Sequence, residues 1–328
     1  MPPESTPTPI DEVCWSGDGF GLAVVSDYPL LVPGREPRRG EPLELIHVSA
    51  ETLEQAWQAP SAEVLWQTRF PDGAQVTVER GAQDEHRIRY AGKALYELSA
   101  DRRLVRWALN SSEAAAQHHA AAQRFLLDTV LWWTALARGF ELLHASAVLL
   151  EGQLVAMLGP TGAGKTSLAI ELMGRGATLF CDDVLTLRRE STGVVAYPGP
   201  AVMNVPHASL HLTQGWATPI APFADQHETW MAVDRAARTP ASLSATIVID
   251  RAPQNDLEIG RLPPNPLTLM TSTWGLTNIG PSARKSFQIF ADLAEHVPTY
   301  HLSAPTDIPP SVIAELITST LQIKSKAN

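Results

Sequence analysis

A glycine-rich loop between an apolar strand and a helix carries the clearest chemistry in this 328-residue sequence. Residues 159–166, Gly-Pro-Thr-Gly-Ala-Gly-Lys-Thr, fit the pattern G-x-x-x-x-G-K-[ST]. Glycines allow a tight turn that brings several backbone N–H groups to phosphate oxygens, and the N-terminus of the following helix favours an anion. The apolar run Leu154 to Leu158 predicts a buried parallel strand before the loop, and helical apolar spacing follows from Ser167. The segment therefore predicts a phosphate-binding loop.

The positions of this loop have separate expected roles toward ATP and Mg²⁺. We expect Lys165 to neutralise the β- and γ-phosphates and the Thr166 hydroxyl to ligate Mg²⁺. The residues predicted to bind the nucleotide form one continuous stretch: Gly159, Pro160, Thr161, Gly162, Ala163, Gly164, Lys165, Thr166 and Ser167.

Charged residues follow two further predicted strands. Asp182 and Asp183 come directly after the apolar run Ala177 to Cys181, and carboxylates at such a strand end beside a phosphate loop indicate metal and base chemistry. Two adjacent carboxylates there are costly without a cation or partner. Arg251 follows the predicted strand Ser244 to Asp250 and could neutralise charge in a transition state. Its rivals for that role are Arg235, Arg238, Arg284 and Lys285.

Together with His144, these motifs resemble the catalytic core of HPr kinase/phosphorylase, a fold shared with ATP-dependent phosphoenolpyruvate carboxykinases. The likeness covers about 45 residues closely and the region from Leu142 to the C-terminus more loosely. The resemblance implies that Asp182 accepts the proton of the attacking hydroxyl and that Asp183 contacts Mg²⁺ directly or through water. It implies that His144 orients Asp182 or the γ-phosphate. The sequence leaves open an exchange of roles between Asp182 and Asp183.

The N-terminal region does not resemble that of HPr kinase/phosphorylase, and the later segment associated with phosphorolysis is not found in this sequence. These departures argue against HPr as the acceptor and against the reverse reaction. The chain looks more like divergent kinases of this family found beside ribosomally made peptides, including lasso peptides. That resemblance implies an ATP- and Mg²⁺-dependent kinase acting on a Ser (or Thr) hydroxyl of a small protein or precursor peptide. Two alternatives stay open: a nucleotide-binding sensor without phosphoryl transfer, and a carboxykinase-like enzyme acting on a small metabolite.

The predicted fold class is α/β (α+β), a P-loop kinase core preceded by a mainly β region. Residues 1–10 read as a mobile tail, residues 11–110 as short strands separated by turns, and residues 111–328 as the kinase core. Within it we expect a long helix over 112–137, a loop-rich insertion over 215–234 and a proline linker at 263–266. The N-terminal region is a candidate for substrate docking, although its tryptophans are better explained as core anchors: Trp15, Trp57, Trp66 and Trp107.

Net charge, apolar runs and cysteine content limit the classes of partner and the cellular compartment that we expect for this protein. The net charge of -10 argues against a nucleic-acid partner, and no apolar run reaches membrane-spanning length. Cys14 and Cys181 are far apart in sequence, and the N-terminus lacks the basic and apolar regions of a signal peptide, so we expect a cytoplasmic protein. The expected partner is a peptide or small protein, and the resembled family implies a homo-oligomer.

Overall fold

The chain folds as two compact units, Met1–Arg138 and Gly139–Asn328. A computed structural model describes residues 12–57, 63–69, 73–110, 116–222, 227–273 and 279–322. The predicted tail at residues 1–10 lies outside these described residues. The predicted boundary at 110/111 differs from the observed division at 138/139, because the helix that follows residue 115 belongs with the N-terminal unit.

An eight-stranded sheet forms the N-terminal unit, in the spatial order β1-β2-β3-β8-β7-β6-β5-β4. Neighbouring strands are antiparallel except for the two parallel pairs made by β3 with β2 and with β8. Helix α1 lies between β3 and β4. The elements are β1 (Trp15–Gly19), β2 (Leu22–Ser26), β3 (Leu43–His47), α1 (Ala50–Ala56), β4 (Glu63–Arg69), β5 (Gln75–Arg80), β6 (His86–Tyr90), β7 (Ala94–Leu98) and β8 (Leu104–Leu109). The mainly β character predicted for this region is therefore observed.

The long helix of this unit runs as α2 (Ala116–Phe125), a π-helical turn (Leu126–Val130) and α3 (Leu131–Ala137). It contacts the sheet through hydrogen bonds, since the Tyr96 hydroxyl donates to the Ala122 carbonyl over 2.7 Å and the Trp133 indole donates to His86 Nδ1 over 2.9 Å. These buried contacts explain why the helix belongs to this unit.

Three parallel strands lie at the centre of the main sheet of the C-terminal unit. Its order is β13-β12-β9-β10-β17-β19-β18, with β10, β17 and β19 mutually parallel and β11 paired to β9. A second sheet has the order β14-β16-β15. The elements are β9 (Glu141–Leu150), β10 (Gln153–Leu158), α4 (Lys165–Gly174), β11 (Thr178–Cys181), β12 (Val184–Glu190), β13 (Gly193–Tyr197), β14 (Val202–Pro206), a 3₁₀ helix (His207–Thr213), β15 (Ala217–Pro222), β16 (Glu228–Val233), β17 (Leu243–Arg251), β18 (Glu258–Arg261), α5 (Pro266–Met270), α6 (Ala283–His296), β19 (Thr299–Ala304) and α7 (Pro310–Thr320).

Strand β10 is buried on both faces, as its continuous apolar run predicted. Val155 and Met157 pack with residues of α4 and α7, whereas Leu154 and Ala156 pack with residues of α6. Helices therefore cover both faces of the parallel strands, which is the arrangement of an α/β fold. No helix within the described ranges is both long and apolar enough to cross a membrane.

Two sequence predictions in this unit were wrong, and both concern segments that contain prolines. The region predicted as a loop-rich insertion contains β15 and β16, with residues 223–226 outside the described part. Pro219 and Pro222 lie within β15, which is at the edge of its sheet, where a missing N–H removes no ladder hydrogen bond. The segment predicted as a proline linker contains the start of helix α5. Pro266 is the first residue of this helix and follows the N-cap residue Asn265, and a proline at that position removes no hydrogen bond within the helix.

Candidate active site

The glycine-rich loop connects the end of β10 to the first turn of α4, as the sequence predicted. Gly164 is the N-cap residue of α4 with φ of 89°. Gly159 has φ of 148°, and a Cβ placed there would lie 2.9 Å from the Ile249 carbonyl oxygen of β17. A side chain at 159 would therefore push the loop away from the neighbouring parallel strand.

Lys165 is folded into this loop and is only 5 % exposed. Its Nζ donates to the carbonyl oxygens of Gly159 (2.9 Å) and Pro160 (3.1 Å) and to His144 Nε2 (3.0 Å). Burial lowers the pKa of Lys165, and the negative charges of Asp183 and Asp182 oppose that shift. The positive charge of Lys165 therefore lies beside the first two residues of the glycine-rich loop.

His144 on β9 is held as a neutral imidazole. Its Nδ1 lies 3.1 Å from the Asp183 carbonyl oxygen, which can only accept, so Nδ1 carries the proton. Nε2 then accepts from Lys165. Burial and, second, the charge of Lys165 lower the pKa of His144, which favours this neutral form.

A strained turn between β11 and β12 carries the paired aspartates. The Val184 N–H donates to the Asp182 carbonyl over 2.8 Å, and Asp183, at the centre of this three-residue turn, has φ of 62°. The Ala145 N–H of β9 donates to the Asp183 carbonyl over 3.0 Å. A non-glycine residue in this region of φ is held against strain, a feature that clusters at functional sites.

Three donors from three different elements hold the Asp182 carboxylate. Oδ1 accepts from the hydroxyls of Thr166 (2.9 Å) and Ser146 (2.9 Å), and Oδ2 accepts from the Asn204 backbone N–H (3.1 Å). Burial and, second, the Asp183 charge raise the pKa of Asp182 to about 6, and the three hydrogen bonds oppose this rise. The structure therefore joins Asp182 to the hydroxyl that the sequence assigned to Mg²⁺.

Arg251, at the end of β17, lies beside the loop but is engaged elsewhere. Its Nη2 donates to the carbonyl oxygens of Pro305 (2.9 Å), Thr306 (2.8 Å) and Ile308 (2.7 Å). A Cβ placed on Gly164 would lie 3.5 Å from Nη1. The guanidinium therefore binds the segment after β19 and lies close to Gly164 of the loop.

The rival cations lie in other surroundings. Arg235 donates to the Met173 carbonyl at the C-terminal end of α4, over 2.8 Å. Arg238, Arg284 and Lys285 have exposed side chains. Arg251 is therefore the cation of this set for which the structure gives a position beside the glycine-rich loop.

Sequence analysis missed two residues that contact Asp182. Ser146 follows His144 by two positions on β9, so the strand period of two already placed both side chains on one face. Asn204 carried no such signal, because it comes from the second sheet, 22 residues along the chain from Asp182.

The residues present fit a magnesium nucleotide. The loop forms a cradle that a Cβ on Gly159 would distort, and Thr166 and Asp182 supply the oxygen atoms that Mg²⁺ prefers. Asn204, whose backbone N–H donates to Asp182, has a buried side-chain oxygen without a hydrogen-bond partner among the described residues. These features suit a cation that also binds phosphate oxygens.

No protein-family model matches this chain, and no curated protein matches it. Among solved structures, the chain is similar to the Hpr(Ser) kinase/phosphatase from Coxiella burnetii, with 16 % sequence identity and a TM-score of 0.29. The match covers 55 % of this chain and 95 % of that one. A likeness at this identity and TM-score does not assign a function to the chain.

Proposed function

We propose that the C-terminal unit is an ATP- and Mg²⁺-dependent kinase that phosphorylates a Ser (or Thr) hydroxyl of a small protein or ribosomally made precursor peptide. The observation that carries this proposal is the meeting of Lys165, Thr166, Asp182 and His144 at the start of one helix. Bound Mg²⁺·ATP would supply the phosphoryl group and neutralise its charge. We place this kinase in the cytoplasm, where ATP and Mg²⁺ are both available.

The hydrogen bonds favour one of the two role assignments for the aspartates. Asp182 accepts from Thr166, so we assign Asp182 and Thr166 to holding Mg²⁺. The carboxylate that remains is that of Asp183, whose negative charge, like that of Asp182, opposes the lowering of the Lys165 pKa. We therefore assign Asp183 to accepting the proton of the attacking hydroxyl, the exchange of roles that the sequence left open.

His144 and Lys165 position the other groups. The His144 Nδ1–H holds the carbonyl of the strained residue Asp183, and its Nε2 accepts from Lys165. Lys165 would exchange its carbonyl partners in the loop for phosphate oxygens, which bind a cation more strongly. Arg251 would add positive charge beside Gly164.

The test is phosphoryl transfer by the purified full-length chain with ATP and Mg²⁺. Serine-containing precursor peptides are added, ADP release is followed, and mass spectrometry detects one added phosphoryl group. We expect Lys165→Ala to lower turnover by about 10²-fold or more, because it removes the charge on the transferring group. Lys285→Ala, an exposed lysine on α6, is the matched control and should leave turnover unchanged.

Three other outcomes would contradict the proposal. Tight ATP binding without ADP release for any peptide would favour a nucleotide sensor. ADP release with oxaloacetate but not with peptides would favour a carboxykinase-like activity. Turnover that survives Lys165→Ala would show that the glycine-rich loop is not the site of transfer.

A further inference from the structure

Asn204 is the point at which the second sheet touches the candidate active site. It lies in the middle of β14, an edge strand, and its backbone N–H donates to Asp182 Oδ2 over 3.1 Å. The flanking Met203 and Val205 are buried in the apolar cluster that includes residues of α4. Because side chains alternate along a strand, the Asn204 side chain is directed to the opposite face of β14.

The side-chain oxygen of Asn204 is buried and accepts no hydrogen bond within the part of the chain that is described. Trp230 on β16 is directly opposite in the antiparallel register, and its side chain, on the same face, is only 1 % exposed. A buried amide oxygen without a donor costs free energy, so its presence in the residue whose backbone N–H binds Asp182 calls for a functional explanation.

We propose that the Asn204 side-chain oxygen belongs to the outer shell of the cation site and accepts a hydrogen bond from water bound to Mg²⁺. This inference rests on the proposed function, in which Thr166 and Asp182 hold that cation. An uncharged amide oxygen suits Mg²⁺, which keeps several of its waters when it binds through one or two carboxylates and phosphates.

Asn204 then couples the second sheet to the cation in two ways. Its backbone N–H orients Asp182, and its side chain orients the water shell. Every substitution except proline keeps the backbone N–H, so side-chain variants test the second contribution alone. Outer-shell partners of metal sites are worth about 10–100-fold in metal affinity.

The experiment measures ADP binding to the full-length chain by calorimetry, once with Mg²⁺ and once with EDTA. The readout is the ratio of the two dissociation constants, which reports Mg²⁺ coupling without requiring turnover. We expect Asn204→Ala to reduce this ratio about 10-fold or more and to leave binding in EDTA within about 2-fold of the wild type. Asn204→Asp keeps an acceptor oxygen at the same place and should retain most of the coupling.

Asn255→Ala is the matched control, because Asn255 donates to the Asp250 carbonyl in a loop after β17 and should leave the ratio unchanged. Thermal unfolding without nucleotide checks the fold, and we expect no fall in Tm for Asn204→Ala, since it removes an unpaired buried acceptor.

Two results would overturn the inference. In the first, Asn204→Ala keeps the wild-type ratio. In the second, it weakens binding equally with Mg²⁺ and with EDTA, as a purely structural role would. A wild-type chain that binds no nucleotide would overturn both this inference and the proposed function. A chain that binds Mg²⁺·ADP and loses coupling in Asn204→Ala, yet phosphorylates nothing, would support the inference and contradict only the kinase.

Discussion

The Thr166 hydroxyl donates a hydrogen bond to Asp182 Oδ1 over 2.9 Å. This contact joins the first turn of α4 to the turn between β11 and β12. Because the hydroxyl proton is directed at the carboxylate, the lone pairs of Thr166 Oγ1 are left for a cation. The same contact indicates which of the two adjacent aspartates belongs with the metal.

We therefore expect Asp182→Asn to weaken the use of Mg²⁺ and Asp183→Asn to lower the turnover of phosphoryl transfer. We expect Asp182→Asn to raise the Mg²⁺ concentration needed for half-maximal ADP formation by about 10-fold or more, because it removes the carboxylate charge next to Thr166. Asp183→Asn should keep Mg²⁺-dependent ATP binding and lose about 10²-fold or more in turnover, because it removes the proton acceptor. Magnesium titrations of ATP binding and of turnover distinguish these two effects. If Asp183→Asn raised the Mg²⁺ requirement and Asp182→Asn lowered only turnover, the roles of the two aspartates would be exchanged.

Arg251 allows its charge to be tested separately from its hydrogen bonds. The guanidinium donates to three carbonyl groups of the segment 305–308, which a lysine ammonium cannot reproduce in one plane. We expect Arg251→Ala to lower the free energy of unfolding by about 2 kcal/mol and to slow ADP formation. Arg251→Lys should stay destabilised in urea unfolding. If it nevertheless regains near wild-type turnover, positive charge beside Gly164 is what catalysis requires.

Gly159→Ala should damage the loop through its contact with β17. The new Cβ would lie 2.9 Å from the Ile249 carbonyl oxygen at a φ of 148°, so we expect a loss of about 1–3 kcal/mol and loss of ATP binding. Gly174→Ala is the control in the same segment, since Gly174 ends α4 with no atom within 4 Å of an added Cβ. It should stabilise the chain by about 0.5–1 kcal/mol. If Gly159→Ala and Gly174→Ala changed the free energy of unfolding in urea equally, the contact between residue 159 and β17 would not be the cause of the loss.

His86 should make the stability of the N-terminal unit depend on pH. Burial and, second, the Arg102 charge lower its pKa from 6.5 to about 4, and the Trp133 indole donates to its Nδ1. The unfolded chain binds the proton more readily, so this contribution is complete above pH 6.5 and is lost as the pH falls toward 4. The loss amounts to about 3 kcal/mol in the free energy of unfolding.

The measurement is urea unfolding followed by tryptophan fluorescence at several pH values. His86→Gln keeps an acceptor for Trp133 but does not titrate, so its stability should vary less over this range. Parallel pH curves for the wild type and His86→Gln would show that His86 is not the responsible group.

Local patterns were sufficient for the segments whose residues interact with near neighbours in the sequence. The run β10, glycine-rich loop and α4 was predictable, as were β17, β19 and the two C-terminal helices α6 and α7. The π-helical turn at Leu126–Val130 was not, because apolar spacing does not distinguish it from an α-helix. The strand β15 was missed because its prolines are tolerated only at a sheet edge, and edge position is a property of the assembled sheet.

The sequence by itself determined the parts of the candidate site that follow one another along the chain: the glycines, Lys165 and Thr166 of the loop, and the adjacent pair Asp182 and Asp183. It could not determine which carboxylate contacts Thr166, because that depends on the conformation of the turn at Asp183, where φ is 62°. Only the tertiary structure brought Asn204 to Asp182, since that contact depends on how two sheets dock. Spacing in a sequence reports on local conformation, whereas contacts between distant segments depend on the packing of whole elements.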